Sequence, residues 1–243
     1  MCIKTLILTG DNNHDWRRSS PFVKDLLEAS GKFSVDLTEH PEEVLEDPEK
    51  LAEYDLLFTE WHGADWSDTA KKNFAQAVWS GTHLVVMHGA DNAFPGWVEY
   101  EKMLGLLWRE GTSHGDYHEF EVKITDHDHP ITRGVEDFRI WDELYHNLLH
   151  MHEVPYHVLA TAYSVPEMHG TGKDEPVMVV TQYGEARVFH MVLGHVWPQG
   201  VYENYKGETM MTFENPSFQE TLLRGCEWAA TGEVCGANDT SPV

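Results

Sequence analysis

Residues 83–91 read His-Leu-Val-Val-Met-His-Gly-Ala-Asp, an apolar run that gives way to a polar end containing a glycine. Short continuous apolar runs are typical of strands that are buried on both faces of a parallel sheet. The run 83–87 therefore predicts a central strand. His88 and Asp91 are expected to lie at the carboxyl end of that strand.

The same pattern extends toward the N-terminus, where amphipathic segments alternate with short apolar runs. Ser20 and Pro21 are expected to open the first helix, and Gly31 to end it. Ser67 is expected to cap a second helix, which ends at Gly81. This alternation predicts right-handed crossovers and an α/β fold, namely a three-layer, doubly wound, mostly parallel sheet with helices on both faces. The predicted N-terminal strands cover residues 4–9, 33–37 and 55–59.

The C-terminal half contains more strands than helices. In residues 118–124, apolar side chains alternate with charged ones, which indicates a half-buried strand. Residues 217–230 predict a closing helix. The later strands are expected to extend the sheet, some of them in antiparallel orientation. We expect one domain over residues 1–236 and a short tail over 237–243. The other strands predicted here cover residues 158–163, 177–182 and 187–193.

The charge balance limits the partners of this chain. It has 243 residues with 17 Lys and Arg against 41 Asp and Glu, a net charge of −24. A surface of this sign repels nucleic acid and anionic membranes. Apolar runs also fall short of the roughly 20 residues that a membrane span needs. We therefore expect a small-molecule ligand, and we expect neither nucleic acid nor membrane as a partner.

Cysteine usage and the start of the chain predict a cytoplasmic protein. The three cysteines, Cys2, Cys226 and Cys235, are an odd number without short spacing, which argues against a disulfide framework and a cysteine-based zinc site. The first residues run directly into a strand and lack signal-peptide architecture. Oligomeric state is not encoded in any motif, and a homo-oligomer is expected only from general frequency.

A binding site is expected at the carboxyl ends of the strands, because ligands of open α/β sheets bind there. His14, His62 and His88 follow the first, third and fourth predicted strands, and His195 follows the last strand directly after a glycine. Phosphate-loop, dinucleotide and serine-hydrolase motifs do not occur, so no nucleotide cofactor is expected. The strand ends supply the predicted site residues Asn12, His14, Trp61, His88, Asp91, Asn92 and His195.

Three histidines are the predicted metal ligands. His88 and His195 each lie beside a glycine that lets the backbone turn sharply. His118 shares the buried face of its strand, where an imidazole needs a carboxylate, a carbonyl or a metal as its partner. For His118, a role as a metal ligand and a purely structural role are equally expected. Neutral imidazoles bind divalent metals, and zinc is the expected ion.

Residues 141–147, Trp-Asp-Glu-Leu-Tyr-His-Asn, form a second polar cluster. Strand alternation places Glu143 and Tyr145 on one face, and we expect this pair to face the pocket. Glu143 or Asp91 is expected to move a proton. The expected contacts to a sugar, by hydrogen bonding or ring stacking, come from Asn12, His14, Trp61, Asn92, Trp97, His114 and Tyr145.

Several segments in combination resemble the ThuA-like (trehalose utilisation) family. They include His-Leu-Val-Val-Met-His-Gly-Ala-Asp-Asn-Ala-Phe-Pro-Gly-Trp at 83–97, Ser-His-Gly-Asp-Tyr-His-Glu-Phe at 113–120 and Val-Phe-His-Met-Val-Leu-Gly-His at 188–195. Further matches are His-Pro-Ile-Thr at 129–132, Asp-Glu-Leu-Tyr at 142–145 and Glu-Trp-Ala-Ala-Thr-Gly at 227–232. The resemblance covers nearly the whole chain.

This resemblance implies a fold like that of the class I glutamine amidotransferases, in which a cysteine nucleophile follows a central strand. His88 stands at that position here, and His195 corresponds to the retained histidine. Trp197 replaces the usual acid two residues later. Because thiolate catalysis requires a thiol at this turn, amidotransferase activity is not expected. The family is associated with the use of trehalose and related disaccharides through 3-keto-sugars.

Two principal hypotheses follow. The first is a metal-assisted enzyme that acts on a sugar or 3-keto-sugar by isomerisation, elimination or hydrolysis. The second is a non-catalytic carbohydrate-binding or regulatory protein of the same pathway. A metal-free hydrolase with a histidine–acid pair is a third reading, which lacks an obvious nucleophile. The crowding of histidines and acids favours the first.

Overall fold

The computed structural model describes residues 2–235, and the predicted tail at 237–243 lies outside the described residues. Nine of the strands described here form one sheet, and four short ones form two separate pairs. In chain order the strands are β1 (Ile3–Leu8), β2 (Phe33–Thr38), β3 (Leu56–Thr59), β4 (His83–Met87), β5 (Leu106–Leu107), β6 (Ser113–His114), β7 (His118–Ile124), β8 (Phe138–Asp142), β9 (Tyr145–His146), β10 (Leu149–His150), β11 (Tyr156–Tyr163), β12 (Asp174–Tyr183) and β13 (Ala186–Met191).

In the part of the chain that the structure describes, four longer α-helices and three single-turn α-helices accompany the sheet. Among the described residues, no helix combines the length and the apolar character of a membrane span. In chain order the helices are α1 (Trp16–Ala29), α2 (Glu42–Leu45), α3 (Pro48–Leu51), α4 (Asp68–Trp79), α5 (Val98–Leu104), α6 (Met211–Glu214) and α7 (Pro216–Thr231).

The large sheet has a parallel half and an antiparallel half. Its strand order is β2-β1-β3-β4-β13-β12-β11-β7-β8. The strands from β2 to β13 pair in parallel, and those from β13 to β8 pair antiparallel. The predicted α/β class and the antiparallel extension are both confirmed. The chain order reverses around β1, as in doubly wound sheets, so loops from several strands meet at one edge.

Helices cover both faces of the sheet and make a three-layer structure. In β4, Val85 and Met87 pack into one core with side chains of α1, α6 and α7. Leu84 and Val86 pack into the opposite core with side chains of α2 to α5. Burial on both faces explains why residues 83–87 read as a continuous apolar run.

The start of α1 differs from the prediction. The helix begins at Trp16, after Asp15, and Pro21 lies inside it. Ser20 therefore does not cap the helix; its hydroxyl bonds to Thr9 and Glu60 in the interior. The other predicted helix signals hold: Gly31 has a φ of 70° just after α1, and the side chain of Ser67 caps α4.

Candidate active site

Three buried histidines meet at the carboxyl edge of the parallel half of the sheet. His14 follows β1, His88 follows β4 and His195 follows β13. One ring nitrogen from each lies within 4.8 Å of the others. The ring centroids are 4.5 Å apart for His14 and His88 and 5.0 Å apart for His14 and His195. This spacing allows one small cation to contact all three rings.

The third histidine of the cluster differs from the one predicted. His118 is at the start of β7, and its Nδ1 contacts the carbonyl oxygen of Asp116 while its ring packs against Phe120. His118 is therefore not grouped with His88 and His195, because β7 belongs to the antiparallel half of the sheet. His14, expected to bind substrate, takes that place. Among the described residues, the structure thus groups His14, rather than His118, with His88 and His195.

His88 is held by hydrogen bonds on both ring nitrogens. Its Nδ1 lies 2.8 Å from the carbonyl oxygen of Val192, and its Nε2 lies 2.9 Å from the hydroxyl of Tyr145. A carbonyl only accepts, so Nδ1 carries the proton and Nε2 presents its lone pair. His88 also has a φ of 46°, a left-handed conformation that costs a non-glycine residue about 1–3 kcal/mol.

The backbone turn after β4 is thus made by His88 itself, and Gly89 has another role. A Cβ on Gly89 would lie 2.7 Å from Nδ1 of His14. The missing side chain of Gly89 therefore makes room for the His14 ring. Gly194, in contrast, adopts a φ of 141° as the sequence predicts for a sharp turn.

Asn12 fixes the orientation of His14. The side-chain amide nitrogen of Asn12 donates to the carbonyl of Glu60, so its Oδ1 is left to accept. Nδ1 of His14 lies 3.1 Å from that oxygen and donates to it. The lone pair of His14 is then on Nε2. Asn12, expected to touch substrate, acts instead on the histidine and does not line the cavity.

His195 has an anchored backbone and a ring that lies beside Glu143. Asp142 accepts hydrogen bonds from the backbone N–H groups of Gly194 and His195 at 2.9 and 3.3 Å. Nδ1 of His195 lies 3.1 Å from Oε2 of Glu143, whereas Nε2 has no hydrogen-bond partner among the described residues. A buried polar atom without a partner is unusual, because it carries a desolvation cost. Nε2 is therefore the ring atom of His195 that is open to a ligand.

Burial keeps all three imidazoles neutral at neutral pH. It lowers the pKa of His88 to about 3 and that of His14 and His195 well below the usual value of 6.5. The neighbouring histidines lower these pKa values further, since adjacent positive charges repel. Neutral imidazole is the form that binds metals.

Glu143 is the acid beside this cluster. Its Oε2 lies 3.1 Å from Nδ1 of His195 and 3.4 Å from Nδ1 of His114. Its Oε1 accepts a 2.7 Å hydrogen bond from the hydroxyl of Tyr205. Burial raises the pKa of Glu143. A carboxyl group with a raised pKa exchanges protons more readily near neutral pH.

A cavity of about 140 Å³ opens in front of the cluster. Its lining contains five of the twelve predicted site residues, with Glu143 and Tyr145 facing the same space, and does not include His88 or His195. His62 was recognisable from its position after β3, and Trp197 as the residue in place of the usual acid, whereas nothing local in the sequence marked Asn13. The predicted residues in the lining are His14, Asn92, His114, Glu143 and Tyr145, and those outside the predicted set are Asn13, His62, Gly89, Trp108 and Trp197.

Three predicted site residues lie elsewhere. Trp61 donates its indole N–H to Ala64, and Trp97 stacks on Tyr100 within the aromatic packing below the sheet edge. Neither Trp61 nor Trp97 is part of the cavity lining, where stacking on a sugar was expected. Asp91 is fully buried, and its Oδ2 lies 3.4 Å from Nε2 of His190. The cavity lining does not include Asp91 either.

Comparison with known proteins agrees with this architecture. The chain matches the ThuA family, described as trehalose utilisation, over residues 4–229. The chain belongs to the ThuA family. Comparison with curated proteins gives no match. At the turn after β4, this ThuA chain carries His88, and none of its three cysteines lines the cavity.

Solved structures show the same fold. A protein from Parabacteroides merdae described as ThuA-like is 32% identical, with a TM-score of 0.83 over 97% of this chain and 92% of that one. A second, from Bacteroides uniformis, is 17% identical, with a TM-score of 0.70 over 93% and 91%. The cytoplasmic protein STM3548 from Salmonella typhimurium is 11% identical, with a TM-score of 0.59 over 93% and 99%. The last two show the fold alone.

Proposed function

We propose that this ThuA protein is a metal-assisted enzyme that acts on a sugar or keto-sugar, with a divalent cation held by His14, His88 and His195. The observation that carries the proposal is the meeting of three neutral, buried imidazoles from three strand ends within 4.8 Å. Zinc suits such a donor set, because catalytic zinc sites commonly use three protein ligands and leave one position open.

The surroundings of the histidines support a ligand role. His14 and His88 each use Nδ1 to donate to an oxygen, so the lone pair that could bind a cation is on Nε2. At His88, that cation would replace the hydrogen bond from the Tyr145 hydroxyl. In metal sites, a hydrogen bond on the ring nitrogen that does not bind the metal fixes the orientation and the tautomer of the histidine. His195 contributes Nε2, which has no hydrogen-bond partner among the described residues, while its Nδ1 lies 3.1 Å from Oε2 of Glu143.

Glu143 is the proposed proton-transfer group. A bound cation would polarise the carbonyl of a keto-sugar and acidify the adjacent C–H bond. The carboxylate of Glu143 would then take that proton. The electron pair of the broken C–H bond would form a C=C bond, and the carbonyl oxygen would take the negative charge. Tyr205 would steady the carboxylate through its bond to Oε1. Isomerisation and elimination both begin from such a proton transfer, and net hydrolysis would follow if water then added to the elimination product.

The family description supports a carbohydrate as the substrate. We further propose a cytoplasmic location and a small-molecule ligand, in line with three free cysteines and a net charge of −24. A second candidate is a carbohydrate-binding protein without catalysis. It is favoured by the hydrogen bond between Tyr145 and Nε2 of His88, which satisfies that nitrogen without a cation.

Turnover of 3-keto-glucosides by the metal-stripped protein separates the two candidates. We expect no product from the stripped protein and recovery on addition of one equivalent of zinc. The variant His88→Ala should stay inactive after zinc addition. Product formation by protein that holds no metal would contradict the proposal, and saturable sugar binding without any product would support the second candidate.

A further inference from the structure

A second, larger cavity adjoins the first at Glu143. Its volume is about 500 Å³, and it shares His114, Glu143 and Trp197 with the inner cavity. Because these three residues line both spaces, the two cavities are neighbours that border the same carboxyl group. The residues found only in the outer cavity are Tyr202, Glu203, Asn204 and Tyr205.

The inner cavity is small for a complete ligand. Small-molecule sites usually have about 300–1,000 Å³, and a cavity of about 150 Å³ holds one benzene ring. At about 140 Å³, the inner cavity has room for one six-membered ring. A second unit of a ligand therefore needs space outside the inner cavity, and the outer cavity next to Glu143 offers that space.

The wall of the outer cavity is an ordered loop. The backbone N–H of Trp197 donates to the carbonyl of Gly207 at 2.8 Å, and the carboxylate of Glu208 accepts from the backbone N–H groups of Gly200 and Tyr202. Lys206 lies over the ring of Trp141 at 3.9 Å. These contacts at both ends of the loop hold its aromatic side chains in place.

The chemistry of this wall suits a sugar ring. Tyr202 is 53% exposed, and its ring lies 5.4 Å from that of Tyr205. The face of a tyrosine ring offers apolar area, while its phenol hydroxyl remains in contact with water. This combination suits a carbohydrate, which has one apolar face and many hydroxyl groups. Glu203 and Asn204 add acceptors and donors for hydroxyl groups.

We propose that Tyr202, Glu203 and Asn204 form an outer subsite for the second unit of a two-unit glycoside whose first ring occupies the inner cavity. Glu143 then lies at the junction, beside the oxygen that links the two units. The proposal rests on the proposed function, since it takes the inner cavity to be the sugar site. It makes Tyr202 a specificity-determining residue.

Calorimetric titration of the zinc-loaded protein with trehalose and with glucose tests this subsite. We expect trehalose to bind about tenfold more tightly than glucose, because one additional ring stacks on the wall. Tyr202→Ala should abolish this preference and leave glucose affinity unchanged. The control Val201→Ala, at a neighbouring exposed position outside the cavity lining, should keep the preference.

The outcomes separate this proposal from the one on which it rests. Equal affinity for the two sugars, no binding of trehalose, or a preference that survives Tyr202→Ala would each overturn the outer subsite, whatever the zinc content. A preference that depends on Tyr202 in protein that binds no zinc would uphold the subsite and overturn the metal-assisted function.

Discussion

Nε2 of His88 lies 2.9 Å from the hydroxyl oxygen of Tyr145, and the two rings stack with centroids 4.3 Å apart. Nδ1 of the same histidine donates to Val192, so the tyrosine hydroxyl is the donor toward Nε2. Burial raises the pKa of Tyr145 well above its usual value, which keeps the hydroxyl protonated. Tyr145 therefore stands at the position from which it can bond to His88 or to a bound ligand.

The variant Tyr145→Phe should separate positioning from metal binding. Phenylalanine keeps the ring that stacks on His88 and removes only the hydroxyl. We expect turnover to fall about tenfold, the effect of one lost hydrogen bond, with an unchanged zinc content. Steady-state kinetics and elemental analysis measure both. A variant that lost zinc would show that the hydroxyl is needed for the metal site itself.

Glu143→Gln should remove proton transfer and leave the fold intact. Glutamine can still accept the hydrogen bond from Tyr205. The expected loss in kcat is about 10²- to 10⁴-fold, the range for a general acid or base, with zinc content unchanged. Glu119→Gln, an exposed carboxylate paired with Arg139, is the matched control and should keep full activity. Full activity in Glu143→Gln would remove Glu143 from the mechanism.

Gly89→Ala should displace the His14 ring by steric contact, without changing any residue of the cluster itself. The new Cβ would lie 2.7 Å from Nδ1 of His14 and force the ring away from Asn12. Loss of such an orienting bond weakens metal affinity by about 10- to 100-fold. Competition with a zinc chelator measures this affinity. Gly31→Ala, where no atom lies within 4 Å of the new Cβ, should leave zinc affinity unchanged. Equal affinity in both variants would show that the His14 position is unimportant.

Because Glu60 is buried, we expect the free energy of unfolding to depend on pH. Burial raises its pKa from 4.5 to about 7, although the hydroxyls of Ser19 and Ser20 donate to it and oppose that shift. Between these pH values the folded chain holds a proton that the unfolded chain has released, so stability falls as the pH rises from about 4.5 to 7. The difference between the two pKa values corresponds to about 3 kcal/mol.

Glu60→Gln removes this titration and should flatten the pH dependence. Urea unfolding of both proteins at pH 5 and pH 8 gives the comparison. We expect the wild-type protein to lose about 3 kcal/mol relative to the variant between these two pH values. A constant difference between the two proteins would show that Glu60 does not keep its proton in the folded state.

Local sequence signals were sufficient for the framework of the fold. The run 83–87 corresponds to β4 without an error at either end, since burial on both faces leaves a continuous apolar pattern. The start of α1 was misplaced because Ser20 resembles a cap, whereas its hydroxyl is used by the buried Glu60. A cap and a buried hydrogen-bond donor have the same sequence signature.

The candidate site was only partly predictable. The strand-end argument places His88 and His195 near each other, as they are in the structure, because parallel strands bring their carboxyl ends to one edge. Glu143, which was predicted from the polar cluster at 141–147, lies beside them. Which third histidine joins them depends on strand order, and the sequence does not show that β7 lies four strands away from β4 in the sheet. Trp61 and Trp97 were misplaced for a related reason: an aromatic residue near a strand end can pack under the edge as well as line it.

Zinc content per chain in wild-type, His14→Ala and His118→Ala proteins tests the central claim most directly. Both substituted histidines are buried, so circular dichroism of each variant confirms that it is folded before the metal is measured. The account predicts about one zinc per chain in the wild-type and His118→Ala proteins and almost none in His14→Ala. Zinc retained by His14→Ala, or lost from His118→Ala, would contradict a metal centre formed by His14, His88 and His195.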